Sequence, residues 1–316
     1  MKISFIQFFF LQYEDTEILY VLKWLLCPII VTFLLPLMIV VLLYISSFIA
    51  HIYKLRWKIL AERHGREWAS AQRKIAYQWI LYGRIYHGYE VRGLENLPST
   101  GPGLIIYYHG AFPTDVYYFF AHVLYYRNRI INSVVDYFLF KLPGFPILTE
   151  CLKLTIGTKQ TCLNILKQGK ILMISPGGVY ESQFSHQYNL MWKNRIGFAK
   201  VAIDAKVPII PIFTENVREA FRTVSICQKL LFKLYTLTRL PVAPIYGPFP
   251  VKMITHVGQP IPYDPELTPE QLQVKVADAI NHLIKVNQRI PGSILHAMVD
   301  RIPLLQERHK QKGDVK

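Results

Sequence analysis

The chain has 316 residues, enough for one sizeable domain with an added membrane element and short of two full domains. Hydrophobic residues make up 52% and charged residues 18%, which excludes general disorder. Lys and Arg outnumber Asp and Glu by 36 to 21, a balance of +15 that points to an anionic partner, either nucleic acid or a membrane face.

The opening dozen residues, with FIQFFF, are apolar but too short to span alone and read as an interfacial segment. Between Lys23 and His51 lie 27 residues with no charge and no histidine. As a helix they extend roughly 40 Å against about 30 Å of hydrocarbon. Pro28 and Pro36 leave a kinked span and a re-entrant hairpin both open. No basic start and small-residue cleavage site frame the run, so a signal peptide is not expected. Residues 51–75 carry Lys54, Arg56, Lys58, Arg63, Arg66, Arg73 and Lys74, against Glu62 and Glu67, whereas the first 22 residues carry Lys2 against Glu14, Asp15 and Glu17. The positive-inside rule therefore puts the following domain in the cytosol. Basic residues clustered directly after the span favour anionic headgroups over nucleic acid as the partner.

Residues 1–53 are thus read as a membrane anchor and 54–85 as a basic helical connector. In the connector Trp57, Leu60, Ala61, His64, Trp68, Ala71, Ile75 and Trp79 recur at helical spacing, fitting either core packing or an interfacial helix. From 86 to 290 strands and helices alternate. YEVRG, GLIIYY, ILMIS (171–175), VPIIPIF (207–213) and VKMITHVG (251–258) read as strands. Helices are expected at about 114–126, 158–168 and 195–205. Thr268, Pro269 and Gln271 announce a capped helix whose apolar face is Leu272, Val276, Ile280, Leu283 and Val286. This alternation predicts an α/β fold with a mostly parallel central sheet flanked by helices, carrying an N-terminal transmembrane or hairpin helix and a tail over 291–316. The four cysteines (Cys27, Cys151, Cys162 and Cys227) form no CxxC, so neither a disulfide framework nor a metal site is expected.

In a parallel sheet, ligands bind beyond the carboxyl ends of strands. His109 stands there after GLIIYY, and Pro113 suits the first helical position, leaving Asp115 in the first turn. Gly110 permits the loop to fold back so that Asp115 orients His109 as a general base. Each also has a plain structural alternative: a histidine at a strand end, and an aspartate complementing a helix dipole. SPGGVYES follows the ILMIS strand, and Pro176, Gly177 and Gly178 make either an ordinary turn or one whose N–H groups hold an oxygen. No GxSxG, P-loop, HExxH or GxGxxG sequence is present.

The order of these segments resembles the glycerolipid and phospholipid acyltransferase family. VRGLENLPSTGPGLIIYYHGAFPTD is similar to its opening block with HxxxxD, SPGGVYES stands in place of FPEG(T/S)R, and NRIGFAKVAIDAKVPIIPIF is similar to its next block. The likeness covers about residues 88–260. Five residues separate His109 from Asp115 where the family has four, and the family's Glu and Arg fall at Gly177 and Tyr180. GGxxES followed by Arg195, Gly197 and Phe198 resembles the diacylglycerol acyltransferase-2 branch, which uses neutral glycerides.

The resemblance implies a membrane-bound O-acyltransferase moving an acyl group from acyl-CoA, as co-substrate, to a mono- or diacylglycerol. His109 and Asp115 are the implied catalytic pair. Gly110, Pro113, Lys159 (near a family arginine), Pro176, Gly177, Gly178, Glu181 and Arg195 are the implied substrate-binding residues. Arg195 binds CoA phosphate or makes a structural ion pair. Metal and further cofactors are not implied, the location is the endoplasmic reticulum membrane facing the cytosol, and the oligomeric state stays open. The alternatives are a lysophospholipid acyltransferase and a non-catalytic lipid-binding protein.

Overall fold

The computed structural model describes residues 5–60, 67–224, 228–238 and 240–302. Parts of the expected connector and tail, with Arg63, Arg66 and Cys227, lie outside the described residues. Helix α1 (Phe5–Leu60) leads to α2 (Glu67–His87), β1 (Glu90–Arg92), β2 (Gly103–Tyr107), α3 (Thr114–Arg127), β3 (Ile131–Val135) and α4 (Phe145–Cys151). There follow β4 (Leu154–Ile156), α5 (Lys159–Lys167), β5 (Ile171–Ile174), α6 (Gly178–Phe184), α7 (Gly197–Ala205) and β6 (Ile209–Glu215). The chain closes with α8 (Val217–Ala220), β7 (Arg222–Thr223), α9 (Gln228–Thr238), β8 (Ile245–Tyr246), β9 (Ile254–Val257), α10 (Pro269–Asn287) and α11 (Ile294–Val299).

Seven strands form the main sheet in the order β1-β9-β6-β2-β5-β3-β4, and β7 pairs with β8 in a separate hairpin. Among the described strands only β6 and β9 pair antiparallel in the main sheet, so it is mostly parallel, as the alternating pattern predicts. The run Leu104-Ile105-Ile106 is fully buried because both faces of β2 are covered. Leu104 and Ile106 join the core that includes α1, α2, α7 and α10, while Ile105 and Tyr107 join the one with Val116, Phe119 and Val123 of α3. From β2 the chain moves outward to β3, and from β5 it crosses to β6 on the other flank of β2. The chain direction reverses around β2, which opens the crevice where α/β sheets bind ligands.

Helix α1 runs without a hairpin turn past Pro28 and Pro36, and within it Ile30–Ile59 is long and apolar enough to cross a membrane. Pro36 has no N–H for the Thr32 carbonyl, and the Gly247 N–H takes that place at 3.4 Å. Further along, Trp79 Nε1 donates to Ser46 Oγ at 3.1 Å, Gln78 Nε2 donates to the Leu42 carbonyl at 3.1 Å, and Lys54 pairs with Glu150 at 3.3 Å. The globular domain therefore lies alongside α1 from Thr32 to Lys54.

Two expected boundaries fall within packed structure, and the connector's open alternative is decided. The division at residue 53 falls inside α1, which continues to Leu60 because the apolar pattern does not stop at the first charges. The connector's Ala71, Ile75 and Trp79 are buried in α2, so that face is core. The tail begins with packed structure, since the Ala297 carbonyl accepts from the Lys252 N–H at 2.7 Å and Arg301 donates to the Ile85 carbonyl at 2.8 Å. The capping box at Thr268 and Gln271 forms in full. The buried face of α10 is Leu272, Val276, Ile280 and Ile284, whereas Val286 is 64% exposed. Helical steps of four keep one side inward, and Val286 has rotated past it.

Candidate active site

The loops after β2, β5 and β6 meet at one end of the sheet, because these strands are neighbours running the same way. His109 follows β2 and is half-buried, its ring stacked on Tyr107 at 5.9 Å between centroids. Its Nδ1 lies 2.7 Å from the Gly110 carbonyl oxygen. A carbonyl only accepts, so Nδ1 carries the proton and Nε2 presents the lone pair. Burial pushes the imidazole down to about 4, with the Arg218 charge acting in the same direction and the Gly110 hydrogen bond against it. The ring is therefore neutral at physiological pH.

The expected hydrogen bond between Asp115 and His109 is not formed. Asp115 is buried in the first turn of α3, where burial pushes its carboxyl up to about 6 against the Thr214 hydroxyl. Its Oδ1 has no hydrogen-bond partner among the described residues. Pro113 sits one position before the expected one, as the residue capping α3, with the Val116 N–H donating to its carbonyl at 3.2 Å. Gly110 is needed for close packing: a Cβ there would fall 2.4 Å from Cγ2 of Val217.

The loop after β5 turns through Pro176 and Gly177 into α6. Glu181 from this helix is fully buried. Its Oε2 accepts the His109 N–H and its Oε1 the Met191 N–H, both at 2.9 Å. Burial pushes its carboxyl up to about 7, opposed first by these two bonds and then by the Arg218 and Arg195 charges. Gly177 has no space for a side chain, since a Cβ would lie 2.4 Å from Glu181 Cβ. Gly178 has φ +50 and donates to Ser175 Oγ at 3.3 Å. Arg195 Nη1 donates to the carbonyls of Pro176 and Gly177, both at 2.8 Å. It is thus a clamp on this turn through carbonyls, where a carboxylate partner or CoA phosphate was expected.

Lys159 is not brought to the site. It opens α5 after the edge strand β4, and its Nζ pairs with Asp204 at 2.7 Å on the surface. Tyr180, at the family arginine position, instead faces Phe184, Phe232 and Tyr235, with centroids 5.7–6.2 Å away, and Lys193 Nζ lies 4.5 Å over its ring.

Sequence reasoning missed Arg218. It follows β6, is buried, and binds the Tyr108 hydroxyl through Nε. Its Nη2 donates to the carbonyls of Glu181 at 2.6 Å and Ser182 at 3.2 Å. Arg218 thereby ties the loop after β6 to α6 and, through Tyr108, to the strand bearing His109. The signal was present: NVREAF puts a charged pair among apolar residues directly after a buried strand. Beyond Arg218, a cavity of about 470 Å³ is lined by Tyr188, Arg218, Glu219 and Arg222. Tyr188 donates its hydroxyl hydrogen to Glu219 there.

The acyltransferase family profile matches residues 88–215, which hold His109, Asp115, Glu181 and Arg195 but not Arg218. A cattle protein named "DGAT1/2-independent enzyme synthesizing storage lipids" is 45% identical over 92% of this chain and 85% of its own length. The human protein of that name is 45% identical over 89% and 86%, and the chicken protein 47% over 90% and 86%. The chain belongs to this acyltransferase family. Among solved structures, the 1-acyl-sn-glycerophosphate acyltransferase PlsC of Thermotoga maritima is similar at a TM-score of 0.49 and 16% identity, covering 78% of this chain and 96% of that one.

Proposed function

We propose that this acyltransferase moves a fatty acyl group from acyl-CoA to a hydroxyl of a mono- or diacylglycerol, at the cytosolic face of the endoplasmic reticulum membrane. The observation that carries the reading is the hydrogen bond from His109 Nδ1 to the Gly110 carbonyl at 2.7 Å, which leaves Nε2 as a base. The acceptor hydroxyl gives its proton to Nε2 as its oxygen attacks the thioester carbonyl. The tetrahedral intermediate then expels the CoA thiolate, the C–S bond breaks, and the imidazolium returns the proton to sulfur.

Asp115 serves the charged stage of this cycle. Its Oδ1 is buried without a hydrogen-bond partner among the described residues, and catalytic hydrogen bonds often tighten only when substrate is bound. In the proposal Nδ1–H exchanges the Gly110 carbonyl for Asp115 as positive charge grows on the ring. Glu181 holds the His109 backbone and, with the Pro176–Gly178 turn clamped by Arg195, shapes the acceptor side.

A neutral acceptor is favoured because the nearby cations are committed elsewhere. Arg195 and Arg218 bind carbonyls, and an aromatic cluster occupies the Tyr180 position. A buried phosphate wants free, often bidentate, cationic partners. The relatives' name, with its storage lipids, agrees with this choice.

The test is purified full-length protein in vesicles with labelled oleoyl-CoA, offered monoacylglycerol, diacylglycerol, lysophosphatidate and lysophosphatidylcholine separately. Product from the first two supports the proposal. Product only from the lysophospholipids overturns the acceptor assignment, and no product from any acceptor leaves a lipid-binding protein as the reading.

A further inference from the structure

Helix α9 carries two apolar faces. Tyr235 is buried, and with Phe232 it packs against Tyr180 and Phe184 of α6, with ring centroids 5.6–6.2 Å apart. Away from that cluster, Leu230, Leu234 and Leu237 are 57%, 39% and 82% exposed. Their spacing of four and three residues stacks them into one strip. At about 100° per residue, Leu237 points roughly 200° from Tyr235, and Lys229 and Lys233 flank the strip on one side. Water is a poor solvent for three stacked leucines on a helix whose inner face already makes the core contact.

The strip has a specific neighbourhood. A few residues after α9, Tyr246 of β8 packs on Phe33 of α1 at 5.9 Å, and the Gly247 N–H reaches the Thr32 carbonyl. At that point α1 exposes Ile30, Leu34 and Leu37 by 53%, 53% and 54%, within the stretch apolar enough to cross a membrane. An apolar strip edged by lysines and joined through β8 to such a helix has the chemistry of an interfacial helix on an anionic leaflet.

We propose that α9 is a second bilayer contact, with Leu230, Leu234 and Leu237 in the acyl region of one leaflet and Lys229 and Lys233 among its phosphates. The aromatic cluster around Tyr180 is then held directly beneath the leaflet surface. The inference stands apart from acyl transfer, because lipid contact is read without turnover.

The test places the photo-crosslinker benzoylphenylalanine at Leu237 of the full-length His109→Ala protein. The protein is reconstituted in phosphatidylcholine and phosphatidylserine vesicles with radiolabelled acyl chains. A second preparation carries the crosslinker at Val274, an apolar residue 58% exposed on α10. Several-fold more labelled lipid on the Leu237 protein supports the proposal. Equal labelling at the two positions overturns it. Crosslinking of Leu237 to a second copy of the chain also overturns it, making the strip a protein interface. Circular dichroism of both preparations keeps misfolding from passing as a negative result.

Discussion

Gly110→Ala perturbs the contact between the base loop and Val217, the first residue of α8. The new Cβ would lie 2.4 Å from Val217 Cγ2 and 3.3 Å from Cγ1. Ordinary carbon contacts are about 3.5–4.0 Å, so the overlap exceeds roughly 1 Å. Neither partner has room to yield: Gly110 is buried and Val217 is 0% exposed. Overpacking of this kind costs about 1–3 kcal/mol, and this site belongs at the upper end. The displaced backbone also carries the Gly110 carbonyl that fixes His109 Nδ1. A 1 Å misplacement of a reacting group lowers rate on the order of 100-fold.

The partner change is Val217→Ala, which removes both offending methyls and alone costs stability by leaving a cavity. The double variant should recover much of the loss in both stability and turnover, a favourable coupling of about 1 kcal/mol or more. Denaturant unfolding in detergent and acyl transfer in vesicles measure the two quantities. A Gly110→Ala protein with unchanged stability and turnover, or a double variant no better than the sum of its parts, refutes the reasoning.

Glu181→Gln replaces one acceptor oxygen with an NH2 where two backbone N–H groups both donate. One buried N–H then loses its partner, at about 1–3 kcal/mol, and a lower thermal midpoint at pH 7 with reduced turnover is expected; an unchanged midpoint rejects the two-bond description. The imidazole of His109 should titrate near 4, far below its usual 6.5, as followed by NMR with labelled histidine. Because this pKa is lowered on folding, the associated stability is present above 6.5 and is lost as pH falls through about 4. A titration near 6.5 contradicts the burial argument. Asp115→Asn should lower kcat well beyond KM, since it removes the charge that supports the imidazolium; an equal effect on both would make Asp115 a packing residue only.

Much of the fold was legible because the sheet's central strands are continuous apolar runs. Leu104 to Tyr107, Ile171 to Ile174 and Ile209 to Phe213 announce themselves by burial on both faces. β3 and β4 were not legible, since INSVV mixes Asn132 and Ser133 into a strand whose polar groups are satisfied internally, as where Asn132 donates to the Ile171 carbonyl at 3.1 Å. The position of His109 at a strand end was readable from local sequence, as was the capped start of α10. The partners of the site were not. Glu181 reaches the His109 backbone across 72 positions, and Arg218 reaches Tyr108 across 110. Such contacts are set by strand order, which no local pattern encodes. The partner of Lys159 was illegible for the same reason: Asp204 comes to it through the packing of α5 on α7.

The central claim is that His109 Nε2 takes the acceptor's proton. The most direct measurement is single-turnover acyl transfer from labelled oleoyl-CoA to diacylglycerol by wild type and His109→Ala in matched vesicles. Loss of general-base help predicts a rate lower by at least about 100-fold with the thermal midpoint preserved. A His109→Ala protein that forms product at the wild-type rate contradicts the account.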